Sequence, residues 1–219
     1  MKPTRMRAAV VSLVLATVLA AAGSGSAQAR QQEPARTTAE AAVPTPDHNC
    51  KSPDGTNLNT FLGISERIIG PPACREAFVG EQWVRSFPGW GTAASGVRAR
   101  YPRGYTPARF DPMDDFLSKL LGARVVNDIG TAQERSHTFG PEVIRRIADF
   151  DGIPFAYFGS PPLSSLSAGA HTTTVFMRLS AEHCDGLGRR PADNCLPGGE
   201  FVYHGPIPVR FFPLNEQPV

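Results

Sequence analysis

Apolar and polar residues alternate most regularly over a stretch near the end of the chain, Ala170–Ser180. The residues that share one side of this stretch are His171, Thr173, Val175, Met177 and Leu179. A period of two that is rich in β-branched side chains is typical of a half-buried β-strand. The pattern therefore predicts a strand over Ala170–Ser180.

A second extended stretch, Phe201–Phe212, follows and is interrupted at Gly205. Pro206 and Pro208 stand two residues apart, so both missing N–H groups face the same side of the strand, where no ladder can form. We therefore expect this strand to begin at the edge of a sheet. The loop between the two strands contains two cysteines, which predicts a long β-hairpin that is crosslinked near its tip.

One helix is predicted by its end signals and by its apolar spacing. Asp111 is a suitable N-cap, Pro112 suits the first turn and Gly122 suits the C-terminal end. The apolar face follows at helical spacing and consists of Met113, Phe116, Leu117, Leu120 and Leu121. Asp114 and Asp115 lie near the positive end of the helix dipole, so capping explains them without a catalytic or calcium-binding role.

Shorter patterns predict further elements. Arg124–Asn127 and Glu134–Phe139 read as a second hairpin, and Ile153–Phe158 reads as an apolar strand. Pro141–Phe150 is interpreted as a short helix, and Val97–Tyr101 is a short alternating run.

Aromatic residues are concentrated in the segment EQWVRSFPGW, which contains Trp83, Phe87 and Trp90. Paired tryptophans can form a platform that stacks on sugars. Large aromatic side chains are more often buried, where they contribute a large apolar area. We therefore expect these three residues in the core.

Leu163, Leu166, Gly169 and His171 form the pattern L-x-x-L-x-x-G-x-H. This pattern resembles the corner before the penultimate strand of immunoglobulin-like and fibronectin-type sandwiches, with His171 where those domains have tyrosine. The resemblance covers the C-terminal half of the chain. It implies that the leucines fill the core, that the glycine turns the chain and that the aromatic side chain hydrogen-bonds back to the backbone.

The L-x-x-G-x-H strand and the segment S-A-E-H-C-D-G also resemble secreted bacterial proteins of uncharacterised function. The resemblance implies export and disulfides but no activity. The expected fold is therefore mainly β: an immunoglobulin-like antiparallel β-sandwich with one or two short helices and a disulfide-closed N-terminal arm.

The start of the chain has the pattern of a secretory signal peptide, predicted over residues 1–29. Lys2, Arg5 and Arg7 precede the apolar run Ala8–Ala22, and Ala27-Gln28-Ala29 offers the small residues of a cleavage site. The run is too short for a stable membrane anchor. We further expect a flexible leader over 30–46, one domain over 47–213 and a tail over 214–219, in a secreted protein.

The formal net charge is +2, and residues 1–29 carry three positive charges and no negative ones. The mature chain would therefore carry +2 − 3 = −1. A near-neutral chain is a weak candidate for binding nucleic acid or an anionic membrane surface. No nucleic-acid partner is expected.

Four cysteines are present, and an even number in an exported chain predicts disulfides, for which three pairings are possible. Cys184 and Cys195 bracket the hairpin tip, so we expect them to pair, which leaves Cys50 with Cys74. A zinc site built from His183, Cys184, Cys195 and His204 is the alternative, but its spacing matches no usual ligand pattern. No metal ion or cofactor is expected.

The sequence contains no G-x-S-x-G, no H-E-x-x-H, no phosphate-binding glycine loop and no dinucleotide fingerprint. A non-catalytic module that binds an extracellular protein or a glycan is the favoured hypothesis, with Arg189 and Arg190 at the hairpin tip as binding residues. The alternative is a secreted hydrolase with its site near the 181–204 hairpin, for which the candidate catalytic residues are Glu182, His183, Asp185 and His204.

Overall fold

The computed structural model describes residues 50–71 and 74–213, so the predicted signal peptide, leader and tail lie outside the described residues. The protein is mainly β. The strands are β1 Arg67–Ile69, β2 Glu76–Phe78, β3 Trp83–Gly91, β4 Leu120–Asn127, β5 Arg135–Phe139, β6 Ile144–Phe150, β7 Ile153–Gly159, β8 Gly169–Leu179, β9 His183–Cys184, β10 Cys195–Leu196 and β11 Gly199–Phe212. The helices are α1 Leu58–Leu62, α2 Pro112–Lys119 and α3 Pro191–Asn194, with a 3₁₀ turn at Pro141–Val143.

The predicted C-terminal hairpin is confirmed. β8 and β11 pair antiparallel from the pair Leu179–Gly199 to the pair Gly169–Phe211, with register shifts between Val202 and His204 and between His204 and Ile207. β2 pairs with the outer side of β11 only at residues 210–212. The segment with the two prolines therefore lies at a sheet edge, as predicted, because a strand without N–H donors on one side accepts no neighbour there.

Two sheets carry most of the strands, in the orders β1-β3-β7-β6 and β2-β11-β8-β4-β5. β1 runs parallel to β3, and β2 runs parallel to β11. The sheets are therefore mixed, whereas the sequence predicted wholly antiparallel sheets. Both parallel strands lie in the N-terminal segment, which reaches its neighbours by long connections and not through tight turns.

The two sheets share one apolar core. Trp83, Phe87 and Phe158 enter it from the first sheet, and Met177 and Phe211 enter it from the second. The prediction of buried aromatic residues is confirmed for Trp83 and Phe87. Trp90 is partly buried and packs against the same core, so these residues do not form an exposed sugar platform.

The region around α2 differs from the prediction at its C-terminal end. Asp111 caps the helix as predicted, accepting hydrogen bonds from the N–H groups of Met113 and Asp114. The helix ends at Lys119, and β4 begins at Leu120 without a loop. Gly122 is therefore no helix terminator: it lies within β4 at a register shift, with φ 119°.

The predicted helix over Pro141–Phe150 is wrong. One 3₁₀ turn is followed by β6, which pairs antiparallel with β7. Asp151 and Gly152 join these strands with φ values of 52° and 80°, as a two-residue hairpin turn requires. The Asp-Gly signal at the turn outweighs the apparent helical spacing of the preceding residues.

Val97–Tyr101 does not form a strand. It follows β3 as a turn, and only Arg100 makes an isolated bridge, to Leu187 of the hairpin loop.

Both predicted disulfides are present, Cys50–Cys74 and Cys184–Cys195, with Cα–Cα distances of 5.7 and 4.0 Å. The first closes the N-terminal arm over a small apolar cluster that includes Leu62, Ile64 and Ile68. None of the helices within the described ranges is long and apolar enough to cross a membrane.

Candidate ligand-binding surface

The four candidate catalytic residues of the hairpin lie in different environments. Glu182 is exposed, whereas the His183 ring is fully buried. The Asp185 carboxylate accepts hydrogen bonds within its own loop, from the N–H of Leu187 at 2.8 Å among others. His204 lies beside the buried Arg85, 2.7 Å from the nearest guanidinium nitrogen. His183, Asp185 and His204 have separate partners and Glu182 is exposed, so the four do not form one site.

The zinc hypothesis is wrong for the same region. Cys184 and Cys195 are bonded to each other, and disulfide sulfurs are not thiolate ligands. Glu182 and these two cysteines do place potential ligand atoms within 4.8 Å of one another. The disulfide leaves only the exposed carboxylate as a ligand, so this cluster holds no metal.

The carboxylate of Asp115 lies next to the hairpin residue His183 and is fully buried. Its Oδ2 accepts hydrogen bonds from Lys119 Nζ at 2.7 Å, from the Tyr105 hydroxyl at 2.8 Å and from His183 Nδ1 at 2.9 Å. These donors come from the helix, from the loop before it and from the hairpin. The sequence pattern predicted only a capping role for Asp115, but its side chain turns inward and joins three segments.

The second oxygen of Asp115 fixes the loop backbone. Oδ1 accepts hydrogen bonds from the N–H groups of Ala108 and Arg109, at 2.6 and 3.0 Å. A carboxylate with several charged or backbone donors is a strong local anchor. Residues 105–109 are therefore held against the helix by one buried charge.

The hydrogen bonds set the charge states in this cluster. Burial alone would raise the pKa of Asp115, but the donors Lys119, His183 and Tyr105 outweigh burial and lower the pKa to about 2. Burial lowers the pKa of His183 despite its bond to Asp115. For Lys119, burial would lower the pKa, but the bonds to Asp115 and Tyr105 raise it. The cluster thus holds an ionised carboxylate, a lysine cation and a neutral histidine.

Residues 92–110, here called the basic loop, form the most basic segment that sequence reasoning missed. It contains Arg98, Arg100, Arg103 and Arg109 and no acidic residue. The total charge of the chain is near neutral and does not reveal this local excess of arginines. A count of charges in a short window would have found it. All four arginines are exposed, and none has an ion pair with another residue of the described segments.

The hairpin loop packs directly against the basic loop. The N–H of Ala93 donates to the carbonyl of Asp185 at 2.8 Å, and the N–H of Arg100 donates to the carbonyl of Gly186 at 2.7 Å. A Cβ at Gly186 would lie 2.9 Å from the Cβ of Ala99. Glycine at 186 therefore permits a close contact between the two loops.

A groove of about 570 Å³ opens where these loops meet the turn between β6 and β7. Its lining includes Val97, Arg98, Arg100, Ile153 and Leu187, and it contains no acidic residue. Val97 is 84% exposed and Leu187 is 47% exposed. The groove thus combines two unpaired cations with exposed apolar side chains.

The predicted tip arginines follow Leu187 of the groove by two and three residues, and they differ from each other. Arg190 forms an ion pair with Asp193 at 2.6 Å, and both side chains are largely exposed. Arg189 is exposed and has no ion pair within the described part of the chain. Arg189 therefore adds an available cation two residues beyond Leu187, whereas the charge of Arg190 is locally compensated.

Asp128, His171 and Ser167 form the only serine–histidine–aspartate chain among the hydrogen bonds of the described residues. His171 Nδ1 lies 2.6 Å from Asp128 Oδ2, and His171 Nε2 lies 3.4 Å from the Ser167 hydroxyl oxygen. Nε2 lies closer, at 2.9 Å, to the Ser167 carbonyl oxygen. A carbonyl only accepts, so Nε2 carries a proton and cannot take one from the hydroxyl. The histidine ties the corner to the backbone and is not a catalytic base.

Comparison with protein-family models, with characterised proteins and with solved structures finds no match to this chain.

Proposed function

We propose that the protein is a secreted, non-catalytic extracellular binding module that recognises an acidic partner protein through its basic loop and hairpin tip. Arg98, Arg100 and Arg189 supply the charge, and Val97 and Leu187 supply the apolar contact. The observation that carries this proposal is the groove at the meeting of the two loops, where unpaired arginines stand beside exposed apolar side chains.

The rigid support of the loops favours a binding role for them, as opposed to a merely solvated surface. Asp115 holds residues 105–109 and the hairpin, and the Cys184–Cys195 disulfide closes the hairpin loop. Loops held on a rigid scaffold lose little conformational entropy when a partner binds. The basic surface is therefore preorganised for its partner.

The apolar side chains favour a protein over a glycan as the partner. Phe110, at the end of the basic loop, is 72% exposed, and it lies over Gly96 beside the exposed Val97. Arginine and aromatic residues are enriched in protein–protein interfaces, where the apolar contact supplies affinity and the charges supply specificity. An acidic protein surface with an apolar centre fits this arrangement.

The proposed module has an immunoglobulin-like C-terminal half. Two sheets on one core and the bond from His171 Nε2 to the Ser167 carbonyl support this fold, because that bond is equivalent to the tyrosine bond of such corners. Export is supported by the signal-peptide pattern of residues 1–29 and by two disulfides without a free cysteine in the described residues.

A hydrolytic function at the 181–204 hairpin has less support. His183 is buried with Asp115, and His204 lies beside Arg85. Neither imidazole lines the groove beside the basic loop, and neither do Glu182 and Asp185. A base, a nucleophile and space for a substrate are all required together.

The proposal is tested by retention of the purified chain on immobilised polyglutamate, with a sulfated polysaccharide column alongside. We expect the Arg98→Ala/Arg100→Ala double variant to elute from polyglutamate at clearly lower salt than the wild type, because two unscreened cations are lost. The matched control is Arg135→Ala/Arg178→Ala, which removes two arginines from β5 and β8 and leaves the same net charge.

The control variant is expected to elute with the wild type. Equal elution of the two double variants, at lower salt than the wild type, would contradict the proposal, because net charge and not the groove would then set the retention. Retention on the sulfated polysaccharide alone would contradict a protein partner and would indicate a glycan instead. Binding weakened by Arg189→Ala but not by Arg190→Ala would support the distinction between the two tip arginines.

A further inference from the structure

Arg85 is a positive charge inside the shared core. It lies on β3 between Trp83 and Phe87, whose side chains also enter the core, and its exposed fraction is 0%. The guanidinium donates to the carbonyl of Ser86 and to His204 Nδ1. Its Nε has no hydrogen-bond partner. A buried cation with neutral partners is strongly destabilising unless an anion accompanies it.

Arg75 adds a second cation to the same place. Its Nη1 is also buried without a hydrogen-bond partner. No carboxylate lies within ion-pair distance of Arg75 or Arg85 among residues 50–71 and 74–213. Burial, and then the charge of Arg75, lower the pKa of Arg85 to about 9. Two like charges are thus held close together without a counter-charge.

His204 completes the set as a hydrogen-bond donor. Arg85 can only donate, so His204 Nδ1 accepts and its Nε2 carries the proton. Burial and the two arginines lower the pKa of His204, which keeps the ring neutral. The group therefore has a net charge of +2 with free N–H donors on Arg75 and Arg85.

We propose that Arg75, Arg85 and His204 form a binding site for a compact divalent oxyanion, phosphate or sulfate, free or at the end of a small molecule. Arginine pairs bind such oxygens through paired N–H groups. A dianion neutralises both cations, whereas a single carboxylate leaves one charge uncompensated. This charge balance selects phosphate or sulfate over a monocarboxylate.

The site is reached from a sheet edge. Arg75 is partly exposed, and the carbonyl of Arg75 accepts a hydrogen bond from the N–H of Arg210, where β2 begins to pair with β11. His204 precedes that point, on the part of β11 that has no strand on its outer side within the described residues. The Cys50–Cys74 disulfide ends one residue before Arg75 and fixes its approach.

The test is the melting temperature of the full chain in sodium phosphate, sodium sulfate, sodium acetate and sodium chloride at equal ionic strength. Phosphate and sulfate stabilise most proteins by exclusion from the surface. The decisive quantity is therefore the difference between wild type and Arg85→Met in the rise of the melting temperature. We expect a larger rise for the wild type in phosphate or sulfate than for the variant, and equal responses in acetate.

Arg85→Met removes an uncompensated buried charge while nearly keeping its length. We therefore expect the variant to melt in chloride at or above the wild-type temperature. Buried charged groups can often be replaced by apolar side chains of similar size without a loss of stability. Arg75→Gln serves as a second variant that leaves the core unchanged. Titration calorimetry with inorganic phosphate should show about tenfold weaker binding, or more, for both variants.

Arg98→Gln, in the basic loop, is the control that should keep the full wild-type response. A response shared by wild type, Arg85→Met and Arg75→Gln would overturn the proposal, because exclusion from the surface would explain it. A response lost in Arg98→Gln but kept in Arg85→Met would overturn it as well. A difference between phosphate and sulfate in calorimetry identifies which oxyanion the site prefers.

Discussion

Asp115 and Asp114 are adjacent carboxylates with opposite environments. Asp114 is exposed in the first turn of α2, whereas Asp115 is buried and accepts five hydrogen bonds from the loop, the helix and the hairpin. A buried charge is stabilising only while its partners surround it. The loss of one partner therefore leaves the remaining charge buried without compensation.

We predict that Asp115→Asn lowers the free energy of unfolding by about 3–5 kcal/mol, since it leaves the buried Lys119 cation without a counter-charge. Asp114→Asn is the matched control and should lower it by less than about 1 kcal/mol, through the helix dipole alone. Urea denaturation of the two variants measures the difference. Equal losses would show that Asp115 is not the anchor.

The same cluster predicts that stability falls on acidification. The pKa of Asp115 is lowered from 3.8 to about 2, so its contribution is present above 3.8 and is lost as the pH falls toward 2. The pKa of His183 is lowered from 6.5, so the unfolded chain takes up a proton first and stability decreases as the pH falls below 6.5.

Urea denaturation between neutral pH and pH 3 checks this dependence. We expect His183→Gln to remove the part of the decline that begins below pH 6.5, and Asp115→Asn to reduce the part below pH 3.8. A wild-type curve that is flat over this range, or one that both variants leave unchanged, would contradict the prediction.

At the scale of elements, the junction between α2 and β4 requires a glycine. Gly122 has φ 119°, and a Cβ at this position would lie 2.0 Å from the carbonyl oxygen of Phe139 on the paired strand. The glycine lets β4 start immediately after the helix and still pair with β5 and β8. The junction carries the helix that holds Asp115.

We predict that Gly122→Ala destabilises the fold by about 3 kcal/mol, because backbone strain and a clash with backbone atoms add. Gly104→Ala is the control: Gly104 has φ 89° but nothing within 4 Å of the added Cβ, so about 1 kcal/mol is expected. Thermal unfolding of both variants is the measurement. Equal losses would assign the whole effect to φ and none to the close approach.

At the scale of the whole molecule, the signal-peptide pattern predicts where the mature chain begins. Cleavage after Ala29 would give an N-terminus at Arg30, because small residues occupy the two positions that a signal peptidase reads. N-terminal sequencing of protein from the culture medium of an expressing host checks this. Recovery of protein that begins at Met1, or recovery only with membranes, would contradict export by cleavage.

The sequence alone determined the features that depend on neighbouring residues. The hairpin of β8 and β11, the capped start of α2 and the proline-marked edge follow from local periodicity and turn chemistry. The pairing Cys184–Cys195 follows because both cysteines flank one loop, and Cys50–Cys74 then remains. In each case the deciding residues are close along the chain, so a pattern within one window contains the information.

Only the tertiary structure decided which charges are buried and which loops meet. His183 reaches Asp115 across 68 positions, and Arg85 reaches His204 across 119. No periodicity distinguishes Asp115 from Asp114, or the buried Arg85 from the exposed Arg98. The free energy of a buried charge depends on donors supplied by distant strands and loops, and those donors come together only when the two sheets have closed on their common core.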